Sequence, residues 1–154
     1  MKVTGTFLFR GPREAVWDLL QDPAVLAKAM PGAERLERTE GDRFEGSMKV
    51  SLGPVTAARF TLVVELADKA APERFAMRID SQGPLGFTRG KALVELTPVD
   101  EGTMMSYSSD LQIGGRIAAV GQRVIDMAAR MMTEKGLESL QKELDARLAG
   151  GSRA

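Results

Sequence analysis

The sequence predicts an α+β protein in which a curved antiparallel sheet of six to seven strands wraps around one long C-terminal helix, with two short helices after the first strand. Three observations carry this. Residues 114–148 repeat apolar side chains at helical spacing with no proline among them. Residues 33–113 alternate apolar and polar in six short runs separated by glycine- or proline-containing turns. Residues 12–29, between the first strand-like run and these six, carry two proline-led segments with apolar residues three and four apart.

Taken in order, residues 2–10 read as a strand with Phe7 and Phe9 on one face and Leu8 on the other. Residues 12–20 read as a short helix with Pro12 in its first turn and Ala15, Val16, Leu19 and Leu20 on its apolar side. Asp22 is placed to cap a second short helix that has Pro23 at its first position and Val25, Leu26 and Ala29 inward. Pro31-Gly32 ends it. The six strands are expected over residues 33–39, 43–52, 55–67, 74–81, 87–97 and 103–113, with turns at Gly41-Asp42, Gly53-Pro54 and residues 83–86. Phe44, Met48 and Val50 share a face of the second of these, and Phe60, Leu62, Val64 and Leu66 share a face of the third. Phe75, Met77 and Ile79 follow on the fourth, Ala92, Val94 and Leu96 on the fifth, and Met105, Tyr107, Leu111 and Ile113 on the last. Short turns between successive strands make an antiparallel meander with one buried face, and that face needs a cover.

The last quarter of the chain is the only element large enough to supply it. A helix of about 33 residues would be roughly 50 Å long. Its apolar stripe reads Ile117, Val120, Val124, Met127 or Ala128, and Met131, then Leu137, Leu140, Leu144 and Leu148. Interior Gly121 and Gly136 each cost about 1 kcal/mol relative to alanine, which marks close backbone approach, room for a ligand, or at Gly136 a kink. Asp126 with Arg130, Glu138 with Lys142 and Glu143 with Arg147 form i,i+4 pairs on the exposed side. Residues 1–149 make a single domain and residues 150–154 a flexible tail.

Composition excludes several functions. The chain has 21 basic and 21 acidic side chains and no basic block, so nucleic acid is not an expected partner. Without histidine or cysteine it has no disulfide, no thiol nucleophile and no imidazole base, and no ligand set for molybdenum, iron–sulfur or copper. No cofactor is expected. The N-terminus lacks an apolar signal core and no run approaches 18 apolar residues. The expected location is the cytoplasm, with at most peripheral contact at the inner face of the membrane.

A curved sheet gripping one helix encloses either core or cavity. The candidate lining is Phe60, Leu62, Met77, Met105 and Tyr107 from the strands and Val124, Met127 and Met131 from the helix, with Leu85 and Phe87 as apolar lips. The rim would be Pro31-Gly32, Gly53-Pro54, residues 83–86 and Gly114-Gly115. Met105, Met127, Met131 and Met132 fall on faces expected to meet, with Met30, Met48 and Met77 as candidates to join them; unbranched thioethers suit a variable apolar content, although gap filling in an ordinary core is the better explanation of any one of them. Tyr107 is either a core residue with a satisfied hydroxyl or a donor to a ligand carbonyl. Arg89 lies outward on a straight strand, whereas a bulge at Gly90 would turn Phe87 and Arg89 inward and make Arg89 a polar anchor at the mouth. Asp80, Asp110 and Glu65 alternate onto the outer face and read as solvated carboxylates. Trp17 is either the packed anchor of the first helix or part of a docking surface.

The order of elements resembles the helix-grip fold of the START-like (SRPBCC) superfamily, which includes the birch-pollen allergens. The motifs are more specific. PREAVWDLLQDPAVLAKAMPGAERLE, with Pro31-Gly32-Ala33 as its turn, resembles the opening of the G-subunit family of carbon monoxide dehydrogenase. Phe44-Glu45-Gly46, Lys49-Val50 and Leu52-Gly53-Pro54-Val55 continue the likeness, as do Gly102-Thr103, Tyr107, Gly114-Gly115-Arg116-Ile117-Ala118, Gly121 and Arg123. Met30 stands where many relatives have cysteine. The extension with a membrane segment found in some relatives is missing, so direct bilayer insertion is not expected. The resemblance implies a non-enzymatic accessory protein of a molybdenum hydroxylase such as carbon monoxide dehydrogenase, carrying a hydrophobic molecule such as a quinone or lipid between sheet and helix. The alternatives are a docking or membrane-recruitment subunit without ligand and, by fold analogy alone, an enzyme resembling polyketide cyclases.

Overall fold

The computed structural model describes residues 1–30, 32–52 and 55–151. The elements run β1 (Lys2–Phe9), α1 (Arg13–Leu20), α2 (Pro23–Ala29), β2 (Ala33–Glu40), β3 (Arg43–Leu52), β4 (Val55–Ala70), β5 (Arg74–Gly83), β6 (Gly86–Val99), β7 (Gly102–Gly114), a 3-10 turn (Arg116–Val120) and α3 (Gln122–Gly151). All seven strands form one antiparallel sheet in the order β1-β7-β6-β5-β4-β3-β2. β2 to β7 are the meander that alternation and turn residues predict, and β1 closes onto the far side of β7 with Phe7 opposite Met105. This is the expected helix-grip architecture. Pro31 and the Gly53-Pro54 turn lie outside the described residues. So does most of the expected tail, whose first two residues, Gly150 and Gly151, continue α3.

Local chemistry sets the element starts. The Asp22 carboxylate accepts a hydrogen bond from the Ala24 N–H at 3.0 Å, with Pro23 at the first helical position, as its side chain predicts. Pro12, expected inside the first turn of α1, stands one place earlier as the N-cap. The long helix starts later than its apolar pattern suggests. Gly115 (φ 86°) and Gly121 (φ 101°) take backbone conformations that an α-helix cannot pass through, and the residues between them form a 3-10 turn. Gly121 is therefore a boundary, not a helix-interior residue.

One end of the sheet is packed solid. There α1 contributes Val16, Trp17, Leu19 and Leu20, α2 contributes Val25 and Leu26, and α3 contributes Leu140 and Leu144, against Phe9, Phe44, Val64, Leu66, Phe75 and Val94 of the strands. Trp17 meets Phe75 edge-on at 5.4 Å between ring centroids, so it is the packed anchor of α1. Polar clamps hold α3 to α2 and to the loops before α1 and α2. The Gln141 side-chain oxygen accepts from the Arg10 N–H at 3.0 Å, Lys28 pairs with Glu143 at 3.3 Å, and Arg147 pairs with Asp22. Of the three expected i,i+4 pairs, only Glu143 with Arg147 comes within 4.0 Å among the described residues. Asp126 instead accepts from Gln122 at 2.7 Å. No helix among the described residues is long and apolar enough to cross a membrane.

The α2–α3 crossing depends on Gly136. A Cβ there would stand 2.3 Å from the Ala29 carbonyl oxygen, a backbone atom that cannot swing aside. Gly136→Ala is therefore expected to destabilise the protein by about 1–3 kcal/mol in denaturant unfolding, against the gain of about 1 kcal/mol that helix propensity alone would give. A stabilised variant would show that the two helices do not meet there.

Candidate functional site

The other end of the sheet is not filled. Between the strands and the first half of α3 lies a cavity of about 330 Å³. Its floor is Phe60 and Leu62 of β4, Ile79 and Ser81 of β5, Thr88 and Ala92 of β6, and Tyr107 to Ile113 along the inner face of β7. Met48 and Val50 of β3 wall one side and Val3 of β1 the other, with Met30 and Ile117 closing the corners. The roof is Ile125, Ala128, Ala129, Met132 and Thr133. The contrast within α3 explains the space. Where its second half sends Leu137, Leu140, Leu144 and Leu148 into the core, its first half puts two alanines and a threonine alongside Ile125 and Met132. α1 and α2 cover the sheet at the filled end, and no other described α-helix enters the gap.

Among the described residues the lining is apolar, with five hydroxyls and no carboxylate, lysine or arginine side chain. Met1 also borders it, and its ammonium donates to the Leu111 carbonyl at 2.8 Å. Ser109 donates to the Val3 carbonyl at 3.1 Å and Thr133 to the Ala129 carbonyl at 2.7 Å. Among the described residues Ser81, 6% exposed, reaches only the Met48 sulfur at 4.0 Å. The Tyr107 ring lies across Gly5, where a Cβ would come within 2.4 Å of its hydroxyl, so glycine at that point of β1 makes room for the phenol. That hydroxyl has no protein partner among the described residues, and Tyr107 and Thr133 line the same hollows. Among the described residues the carboxyl held clearly below its ordinary range, Glu45, lies on the outer face of β3; hydrogen bonds from Thr39 and Arg43 stabilise its charged form. The cavity thus offers shape, apolar contact and neutral hydrogen bonding.

The structure places the sequence-predicted site residues unevenly. Phe60, Leu62 and Tyr107 line the cavity. Met105 is buried one step towards the filled end, where it lines a smaller space of about 180 Å³ with Tyr107, Met132 and Leu140. Met77 and Leu85 pack against the core, and the Leu85 carbonyl accepts from the Ile117 N–H at 2.6 Å, which latches the β5–β6 turn to the 3-10 turn. Phe87 and Arg89 do not face inward. The β6–β7 register runs unbroken through Gly90, no bulge forms, and the Arg89 guanidinium sits on the outer face 4.6 Å above the Phe87 ring.

Val124 is half-buried outside the lining, and Met127 and Met131 point to solvent at 60% and 52% exposure, not towards Met105 and Met132. The cause is helical phase. Met131 and Leu137 are six residues apart, one and two-thirds turns at about 3.6 residues per turn, so they cannot share a face. The true inward stripe runs Ile125, Ala129, Met132, Gly136, Leu140, Leu144. Ser81, Ala129 and Thr133 escaped the sequence reading because small residues look unremarkable in a pattern search, and Ala128 entered it only as an alternative to Met127. On the helix the signal available was register: Ala129 and Thr133 occupy the phase that Leu140 and Leu144 hold further along.

A family model for the G subunit of carbon monoxide dehydrogenase (CoxG) matches residues 5–145. The chain belongs to this family. Comparison with curated proteins finds no match. Among solved structures, a conserved protein from Geobacillus kaustophilus is 26% identical with a TM-score of 0.89, covering 96% of this chain and 97% of its own. A Thermus thermophilus protein follows at 19% identity and TM-score 0.70, over 95% of this chain and 98% of its own. The Zhui aromatase/cyclase from Streptomyces, 16% identical, has a TM-score of 0.69 over 96% of this chain and 95% of its own. At that identity the likeness to the aromatase/cyclase is one of fold, the helix grip, and does not carry chemistry to this CoxG family member.

The helical phase is open to test. Met127→Lys and Met131→Lys should each leave unfolding free energy within about 0.5 kcal/mol of the parent, whereas Leu140→Ala should cost about 2–5 kcal/mol. A large loss at either methionine would put that face against the sheet.

Proposed function

We propose that this CoxG family member is a non-catalytic accessory protein that carries a hydrophobic molecule, such as a quinone or lipid, in the space between sheet and α3, in the service of a molybdenum hydroxylase. The observation that carries the first half is the apolar cavity under Ala128, Ala129 and Thr133. Its volume falls at the low end of ligand pockets, commonly about 300–1,000 Å³. That suits a ring system or a short stretch of chain, so a long isoprenoid tail would extend past the rim. Phe60, Leu62, Ile125 and Met132 would supply most of the contact, and the Tyr107 hydroxyl a hydrogen bond to a ligand oxygen. The partner enzyme is suggested by family membership.

A non-catalytic role is supported by the donor set. A cyclase or hydrolase needs a positioned base or nucleophile at the reacting atom. The chain has no histidine or cysteine, and the carboxylates Asp80 and Asp110 alternate away from the cavity-lining positions of β5 and β7. Contact with the membrane would be peripheral.

Native mass spectrometry of freshly purified protein, followed by solvent extraction and ultraviolet spectroscopy, tests the carrier reading. The expected result is a co-purifying apolar species with quinone-like or lipid-like character. Ala129→Phe, which fills the roof, should abolish it while keeping the midpoint of thermal unfolding within a few degrees, roughly a 1 kcal/mol effect. A clean protein mass that stays unchanged on incubation with quinones and lipids would contradict carriage and favour a docking subunit, to be sought by capture of a molybdenum hydroxylase from the host.

A further inference from the structure

We propose that Ser81 is the polar anchor that selects the cavity's ligand, and that this ligand is a neutral apolar molecule presenting a hydrogen-bond acceptor oxygen, such as a ring carbonyl, to the inner face of β5. The proposal rests on the carrier reading and adds to it the residue that discriminates between ligands. Ser81 lies opposite Leu62 of β4 and Thr88 of β6, among apolar neighbours that include Phe60 and Ile79. It is more than nine-tenths buried, and its side chain lines the cavity.

A serine hydroxyl carries one donor and two acceptor sites. The only partner Ser81 has among the described residues is the Met48 thioether at 4.0 Å, a weak acceptor on a flexible side chain. Leaving a buried hydroxyl so poorly matched is unfavourable, and alanine at the same place would avoid the cost. Ser109 and Thr133, by contrast, are already bonded to backbone carbonyls. Thr88 and Tyr107 also lack a side-chain partner among the described residues but are only half-buried, so Ser81 is the buried cavity hydroxyl left with a proton to give. An arriving oxygen would replace the Met48 sulfur as its acceptor. The absence of a charged side chain from the described lining makes the ligand neutral, because an ion would shed its hydration there without a side-chain counter-charge. The Met1 ammonium, which borders the cavity, donates to the Leu111 carbonyl.

Fluorene and fluorenone make a matched pair of probes, rigid and alike in shape, differing by one carbonyl. Titrated into the full-length protein, fluorenone should bind Ser81→Ala roughly 3- to 10-fold more weakly than the parent, the worth of one hydrogen bond. Fluorene should bind both proteins equally to within about twofold, and Ser81→Thr, which keeps the hydroxyl, should keep the fluorenone affinity. The ligand-free Ser81→Ala protein should unfold at the same temperature or higher, since it loses an ill-matched buried group. Equal weakening of both probes would reduce Ser81 to a packing residue and overturn the proposal. Unchanged binding of both would overturn it too, while leaving the carrier reading standing. If the parent protein binds neither probe, the carrier reading fails and the anchor fails with it.

Discussion

The inner face of a seven-stranded sheet must be covered, and one 30-residue helix is its main cover. Strands spaced about 4.8 Å apart make seven of them roughly 30 Å across, whereas a helix with its side chains is only about 10–12 Å wide. Curvature lets the sheet edges approach the helix but does not remove the mismatch. At one end α1 and α2 make up the difference, and the core there is closed by Trp17, Phe44 and Phe75. At the other end α3 stands alone, carrying small side chains, and the mismatch persists as a cavity. Fold and candidate site follow from one geometric shortfall, met at one end and left open at the other.

The two ends also divide the labour of stability and function. Leu140, Leu144 and Gly136 hold α3 in place from its second half, where Arg147, Glu143 and Gln141 add polar clamps to α2 and to the loops before α1 and α2. The first half can then span open space. A helix held along its whole length by leucines would leave no room. Large apolar residues at the roof would stabilise the empty protein and exclude a ligand, a recurrent conflict between stability and function.

Most of the architecture was legible in the sequence because alternation and helical spacing are local signals. Phe60, Leu62, Val64 and Leu66 announce an inward face of β4, and Asp22-Pro23 announces the start of α2. What was not legible depends on the accumulation of phase or on what is missing. The stripe through Met127 and Met131 is a good amphipathic pattern in isolation; it fails only against the leucines further along, with which it is out of register. The start of α3 was hidden because its interruption is a backbone conformation at Gly121, which a side-chain pattern does not report. Arg89 illustrates the opposite case, since plain alternation placed it outward and the bulge that would have rescued it as an anchor does not form. The cavity's most informative residues, Ala128, Ala129 and Ser81, are visible as a site only once the space around them is known.

The methionines supply built-in reporters for the central claim that an apolar ligand occupies the space beneath the first half of α3. Met30, Met48 and Met132 line the cavity, Met77 and Met105 pack beside it, and Met127 and Met131 project into solvent from the same helix. Methyl NMR of protein labelled at methionine, recorded during titration with a short-chain quinone, places the ligand directly. The account predicts saturable shifts at Met30, Met48 and Met132 with little change at Met127 and Met131. Shifts confined to Met127 and Met131, or none at any methionine, would contradict it.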